Sequence, residues 1–319
     1  MTRTPQTPLR SGFGARTTAR ELLGDRRLDG ANAIVTGGYA GIGLETTRAL
    51  AGAGATVVVP ARTPDKARAA LAGIPRVELD ALELTDPASI DGFAGRFAAS
   101  GRPLHILIHN AGIMAAPLAR DARGFESQLA TNHIGHFQLA VRLWPALVRA
   151  GGARVVALSS RGHARSAVDF ADPQFERRPY DKWIAYGQSK TANALFAVAL
   201  DVRGAPHRIR AFSAHPGAVI TELLRSMDAD EQRAVIDRAG KMAGGFKTTE
   251  QGAATSVWCA TSAQLDGMGG VYCEDADIAA AVPADLDGPH GVRPWAMDAD
   301  AAEQLWQLSE HWTGARLAA

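Results

Sequence analysis

The chain has 319 residues, a hydrophobic fraction of 46% and a formal net charge of +1 at pH 7. Such a chain can bury a large core, and near-neutrality gives no electrostatic reason to expect nucleic acid or an anionic membrane surface as a partner. No apolar run approaches the ~20 residues that span a bilayer, and residues 1–20 carry arginines without the apolar stretch of a secretory signal, so a soluble, cytoplasmic protein is expected.

In chain order, residues 1–30 read as a solvated N-terminal arm. Short β-branched or apolar runs then recur at 33–35, 56–59, 76–79, 105–108, 154–158, 208–213 and 270–273. Runs of this kind are typical of parallel strands buried on both faces. Between them lie longer stretches, such as "PASIDGFAGRFAAS" and "WIAYGQSKTANALFAVALDVR", whose apolar residues recur every three or four positions, as in amphipathic helices. Strict alternation predicts an α/β fold: one doubly wound, Rossmann-type parallel sheet of about seven strands with helices on both faces. One catalytic domain over 31–275 is expected, with a C-terminal extension over 276–319 packed on it. Cys259 and Cys273 match no metal or redox spacing and read as reduced thiols. His133, His136, His163 and His215 show no metal-ligand pattern either, so no metal site is expected and packing or surface roles are assigned to them.

The first strand runs into "TGGYAGIG", in which Gly37, Gly41 and Gly43 form a TGxxxGxG pattern. Glycines there let backbone approach a ligand closely, and a helix starting near Ile42 presents free N–H groups and a positive dipole end to a pyrophosphate. Its place after the first strand of a β-α-β unit predicts a dinucleotide site. At the end of the second strand, where NAD sites carry an acid for the ribose 2′-hydroxyl, stand Ala61 and then Arg62. An arginine can pair with a 2′-phosphate through two hydrogen bonds, so NADP(H) is expected over NAD(H).

The ordered motifs "TGGYAGIG", "LHILIHNAGIM", "ATNHIGHFQL", "VVALSS", "YGQSK" and "HPGAVITEL" resemble those of the short-chain dehydrogenase/reductase family over roughly residues 30–280. "GATVVVPAR", "GFESQLATNHIGHF", the long insert between "LSS" and "YGQSK", and the tail "AAEQLWQLSEHWTG" are most similar to the branch that holds retinol dehydrogenases and WW-domain-containing oxidoreductase. The resemblance implies a nicotinamide-dependent oxidoreductase. It places Gly37, Tyr39, Ala40, Gly41, Ile42 and Gly43 in the cofactor turn, and Asn110, Ala111 and Gly112 near the adenosine ribose. Pro216, Gly217, Val219 and Thr221 then lie beside the nicotinamide. Glu83 stands where an Asp usually touches adenine, with the Leu84 backbone next to it. His109 replaces the first Asn of the family's NNAG strand.

The resemblance also implies a catalytic set of Ser160, Tyr186, Lys190 and Asn132, with Ser159 as the alternative serine. Residues four apart share a helix face, so Tyr186 and Lys190 can act together. A phenol with pKa near 10 is a poor base at neutral pH. A unit charge at ~4 Å with an effective dielectric of ~20 is worth about 4 kcal/mol, or about three pKa units, and the Lys190 ammonium, helped by the charge of the oxidised nicotinamide, is therefore expected to activate Tyr186. Lys190 would also hold ribose hydroxyls, Ser160 the substrate oxygen, and Asn132 a water of a proton relay reaching Lys190.

Two stretches are expected to shape the substrate pocket: 161–185, with Tyr180 and Trp183, and 218–248, with Leu223, Leu224, Met227 and Met242, which has the composition of a lid. No arginine cluster announces an anionic substrate, so a medium-to-large apolar carbonyl or alcohol is expected. A catalytically silent cofactor-binding scaffold is the alternative, and an epimerase or dehydratase fits the glycine spacing less well. The helices around Trp144 and Trp183 would supply a homodimer interface unless the C-terminal extension covers it.

Overall fold

The structure, a computed structural model, describes residues 3–240, 245–286, 288 and 290–317. Seven parallel strands form its centre: β1 (Asn32–Val35), β2 (Thr56–Ala61), β3 (Val77–Ala81), β4 (Ile106–His109), β5 (Ala153–Leu158), β6 (Ile209–His215) and β7 (Val271–Glu274). An eighth, β8 (Asp277–Ile278), pairs antiparallel with β7. The order is 3-2-1-4-5-6-7-8. The chain starts in the middle of the sheet, goes out to β3 and returns to β4. That reversal leaves a crevice outside the carboxyl ends of β1 and β4, where ligands of such sheets bind.

Helices cover both faces: α1 (Ala19–Leu23), α2 (Gly41–Gly52), α3 (Pro64–Leu71), α4 (Pro87–Ala99), α5 (Ser127–Leu129), α6 (Gly135–Arg149), α7 (Lys182–Gly204), α8 (Ala229–Gly240), α9 (Thr249–Thr261) and α10 (Ala299–Thr313). Period-two side-chain alternation explains how apolar strands serve both layers. Ile34, Leu107 and Val155 join the core under α4, α6, α7 and α10. Their neighbours Val35, Ile108 and Val156 join the opposite core, which includes residues of α2, α3 and α9. Helix starts are set locally. Asp86 caps α4 ahead of Pro87, and Asp181 accepts from the Trp183 and Ile184 amides at the start of α7.

Four features depart from the sequence expectations. Strand β8 is two residues long and follows Asp275 and Ala276, both at positive φ (51° and 56°), so it carries no periodic signal. Residues Ala130–Ile134 form a π-helical segment inside what reads as continuous helix. The N-terminal arm is not a solvated tail. The Gln6 amide donates to the Tyr272 and Ala279 carbonyls at 2.8 and 2.7 Å and accepts from the Tyr272 amide at 2.9 Å. Leu9 and Ser11 amides bond the Asp277 carboxylate. Side chains thus replace strand pairing along the β7–β8 edge, which disarms an open edge.

The fourth concerns the homodimer expectation. Helix α10 lies on α7, where Trp306 stacks over Phe196 (centroids 6.1 Å, 8° apart) and meets Phe137 edge-on at 4.8 Å. Ser309 sits 2.8 Å from the His133 ring. Of the two occupants considered for this face of α7, a second copy or the C-terminal extension, the chain's own C-terminal helix is the one that covers it. Among the described residues no helix is long and apolar enough to cross a membrane.

Candidate active site

The carboxyl ends of β1, β4, β5 and β6 open into a cavity of ≈ 900 Å³. Of the residues singled out in the sequence, Gly37, residues 39–43, Arg62, residues 110–112, Ser160, Tyr186, Lys190, Pro216, Gly217, Val219 and Thr221 all line it. Asn132, Glu83 and Leu84 are not among the lining residues. Met242 lies outside the described residues.

The glycine turn is built for close approach. Gly37 and Gly41 have φ of 63° and 51°, which side-chain-bearing residues rarely adopt. A Cβ on Gly43 would stand 2.3 Å from the Gly37 carbonyl oxygen and 2.4 Å from Asn110 Nδ2. Ala40 precedes α2 without any side-chain cap, so the first-turn amides of α2 stay available to an anion. Asn110 ties this turn to β4 by donating to the Thr36 carbonyl at 2.9 Å, and the Asn110 and Ala111 amides share the Thr36 hydroxyl. The donor set and the glycine cradle fit a dinucleotide pyrophosphate.

Arg62 follows β2, its side chain 71% exposed and 3.6 Å from the Glu83 carboxylate. Glu83 also accepts from the Thr85 amide and hydroxyl, so it reaches the site only through Arg62. Leu84 is buried, and its carbonyl lies where a Cβ on Gly135 would be. Lys66, on α3 and overlooked in the sequence, also lines the cavity and bonds Glu222 at 2.8 Å.

At the other end stand Ser160, Tyr186 and Lys190. The Ser159 hydroxyl donates to the Lys190 carbonyl at 2.8 Å and is buried. The Ser160 hydroxyl instead accepts from the Gly162 amide at 3.0 Å and lines the cavity together with the Tyr186 phenol. Geometry therefore favours Ser160 of the two serines. Lys190 Nζ donates to the Leu158 carbonyl at 3.0 Å and lies 5.7 Å from the Tyr186 ring centroid. Burial pushes Tyr186 up to about 12, against the lowering effect of the Ser160 hydroxyl, and pulls Lys190 down to about 8. Burial thus opposes the acidification of the phenol expected from Lys190 and the oxidised nicotinamide together. Both groups sit on the buried length of α7, 4% and 6% exposed, and desolvation works against each charged form. The Tyr186 phenol is neutral at pH 7.

Asn132 lies in the π segment, a helix defect common at functional sites. Its amide is fully engaged: Oδ1 accepts from the Ile113 amide at 2.9 Å, and Nδ2 donates to the Ile113 carbonyl and the Ser189 hydroxyl at 3.0 and 2.9 Å. It fixes the loop after β4 rather than touching Lys190 with its side chain. Its carbonyl is 3.0 Å from His136 Nδ1.

The substrate side of the cavity is mixed. Met114, Trp183, Leu223, Leu224, Val235 and Phe246 supply apolar surface. Trp183 also carries the Arg165 guanidinium over its ring at 5.3 Å, while Tyr180 turns away to Ala116 and Glu126. His215, Lys247, Glu274, Asp275 and His290 form a polar wall that the sequence did not reveal. Lys247 bonds Asp275 at 2.5 Å, and its side chain fills the place a Cβ on Gly217 would take. These residues come from separate segments and share no local motif, so only the sheet edge brings them together.

A family model described as short chain dehydrogenase matches residues 31–232. The chain is 47% identical over 291 residues to a probable oxidoreductase of Streptomyces antibioticus, covering 88% of this chain and 96% of that one. It is 36% identical over 293 residues to retinol dehydrogenase 12 of mouse, covering 89% and 86%. Among solved structures it resembles one from Beutenbergia cavernae, described as a candidate NAD(P)-dependent gluconate 5-dehydrogenase with bound NADP. That match has a TM-score of 0.63 and 25% identity, and covers 79% of this chain and 97% of the other.

Proposed function

The chain belongs to the short-chain dehydrogenase/reductase family, and from that premise we propose that it is an NADP(H)-dependent carbonyl reductase/alcohol dehydrogenase for medium-to-large apolar substrates. The observation that carries this reading is that Ser160, Tyr186 and Lys190 line one end of a cavity whose other end is the glycine turn. When bound, the nicotinamide supplies or takes the hydride.

The chain's own residues position and move the proton. Ser160 donates to the substrate oxygen and stabilises charge developing there, a role worth up to a few kcal/mol when the donor is preorganised. Tyr186, neutral at pH 7, gives its proton to that oxygen during reduction and takes one back during oxidation. Lys190 holds the ribose hydroxyls and brings positive charge to the phenol. Asn132 keeps the loop after β4 in place. Gly37 and residues 39–43 cradle the pyrophosphate, residues 110–112 pass the adenosine ribose, and Glu83 acts at the adenine end through Arg62, while Leu84 is buried against Gly135. Pro216, Gly217, Val219 and Thr221 border the nicotinamide.

Arg62 supports the NADP(H) preference. Its pairing with Glu83 is exposed, and such pairs are worth about 0–1 kcal/mol. A dianionic 2′-phosphate would out-compete that contact, with Lys66 nearby as a second cation. The apolar lining from Met114 to Phe246, and a relative named for retinol, support an apolar substrate.

The test is oxidation of NADPH and of NADH, followed side by side, across a panel of apolar aldehydes and ketones. Turnover with NADPH on several members is expected. Tight NADPH binding with no turnover of any member would support the scaffold reading instead.

A further inference from the structure

His163 sits on the short 3-10 helix Arg161–Arg165, directly after Ser160, and is 1% exposed. Its ring meets three partners. Nδ1 lies 2.7 Å from the Ser160 carbonyl and 3.2 Å from the Tyr272 hydroxyl, and Nε2 lies 3.2 Å from the Arg293 amide nitrogen. A backbone N–H can only donate, so Nε2 must be the bare nitrogen. The ring proton is then on Nδ1 and points at the Ser160 carbonyl. Burial holds His163 down at about 4, so the ring stays neutral at ordinary pH. Its own carbonyl accepts from Trp295 Nε1 at 3.0 Å and from the Thr191 hydroxyl at 3.2 Å. The turn is therefore held on one side by α7, next to Lys190, and on the other by Arg293 and Trp295 of the C-terminal extension.

This turn bears directly on the reacting phenol. A Cβ on Gly162 would be 2.7 Å from Tyr186 Cε1, so the Gly162 backbone rests on the tyrosine ring. The Gly162 amide also holds the Ser160 hydroxyl. A shift of the turn would move both the serine and the surface against which the tyrosine packs.

We propose that His163 is a positioning residue. Locked in one tautomer by the C-terminal Arg293–Trp295 segment, it fixes the Ser160 backbone and so keeps the Ser160 hydroxyl and the Gly162 backbone in place beside Tyr186. This inference rests on the roles given above to Ser160 and Tyr186. It also assigns the C-terminal extension a task in the reaction, although the extension contributes no residue to the Ser-Tyr-Lys set.

The experiment uses full-length His163→Asn and His163→Gln, with the aldehyde or ketone of the panel that wild type reduces fastest. An Asn amide can stand where Nδ1–H stood and donate to the Ser160 carbonyl. A Gln amide reaches the Nε2 position and can accept from Arg293, but leaves Nδ1 without a substitute. We expect His163→Asn to keep kcat within about threefold. We expect His163→Gln to lose on the order of 10- to 100-fold in kcat, the scale set by a misplacement of about 1 Å, with KM and NADPH affinity unchanged. Amide hydrogen exchange over 161–165, measured without cofactor, should rise in His163→Gln and not in His163→Asn. Equal losses in the two variants, or wild-type kcat and exchange in His163→Gln, would overturn the proposal. Tyr186→Phe in the same series separates the levels. Full activity there overturns the reading of the site, whereas a silent Tyr186→Phe beside a fully active His163→Gln overturns only the role of His163.

Discussion

The floor and the rim of the cavity are built on different principles. The floor is carried by β1, β4, β5 and the buried stretch of α7, where Tyr186 and Lys190 are 4% and 6% exposed. Its polar groups are paired: Ser160 with Gly162, Lys190 with Leu158, Asn132 with Ile113 and Ser189. The rim is the 3-10 turn Glu222–Ser226 with α8, tied down by ion pairs such as Lys66–Glu222 and Lys182–Glu231 and by Arg16 donating to the Phe246 carbonyl. Pairs of this exposed kind contribute about 0–1 kcal/mol each. The floor is thus held by burial and the rim by exposed ion pairs, and in the proposed function the first would place the chemistry and the second would meet the substrate. Lids are drawn from such low-stability parts of a protein.

Perturbing the floor should therefore cost far more than perturbing the rim. Gly43→Ala puts a Cβ 2.3 Å from a backbone oxygen that cannot step aside. Overpacking of this type costs about 1–3 kcal/mol, and we expect NADPH affinity by calorimetry to fall on the order of 100-fold. A wild-type affinity in that variant would break the assignment of the turn. Arg62→Ala should lower the NADPH-over-NADH ratio of kcat/KM about tenfold, as expected for loss of one charged hydrogen-bonding partner; an unchanged ratio would remove Arg62 from the cofactor reading.

The pH dependence probes the floor's charge. Lys190 is pulled down to about 8 by burial, so its ammonium is intact below pH 8 and is lost above it. Carbonyl reduction at saturating NADPH should be flat from pH 6 to 7.5 and fall about tenfold by pH 9. A flat profile through pH 9 would contradict the role of that ammonium. The smallest effect belongs to the rim: Phe246→Ala should raise KM for apolar carbonyls by a few fold and leave kcat unchanged, because it removes binding surface and no reacting group. A kcat loss as large as those of floor variants would erase the distinction between the two regions.

The floor was legible in the sequence because each of its parts is local. The glycine turn is one β-α junction, Tyr186 and Lys190 are one helical turn apart, and Ser160 follows β5 by two residues. The seven parallel strands announced themselves by short apolar runs for the same reason. What stayed hidden is what depends on distant pairing. Lys66, Lys247, Glu274 and His290 reach the cavity from four segments. The arm's Gln6 reads as a surface residue until it is seen to pair with Tyr272. His163 looked like a packing histidine, and only the return of Arg293 and Trp295 onto it shows what it holds. The effect of burial on Tyr186 was hidden for a related reason. Spacing gives the distance to a cation, but burial of both groups raises the phenol.

The central claim is that Tyr186 transfers the proton while the cofactor is held by other residues. The most direct measurement compares wild type and Tyr186→Phe for NADPH binding and for NADPH oxidation with the best carbonyl of the panel. Loss of one acid/base group is worth about 10²- to 10⁴-fold, so turnover should fall by at least about 10²-fold while the NADPH dissociation constant stays within about twofold. Full turnover in Tyr186→Phe would contradict the account.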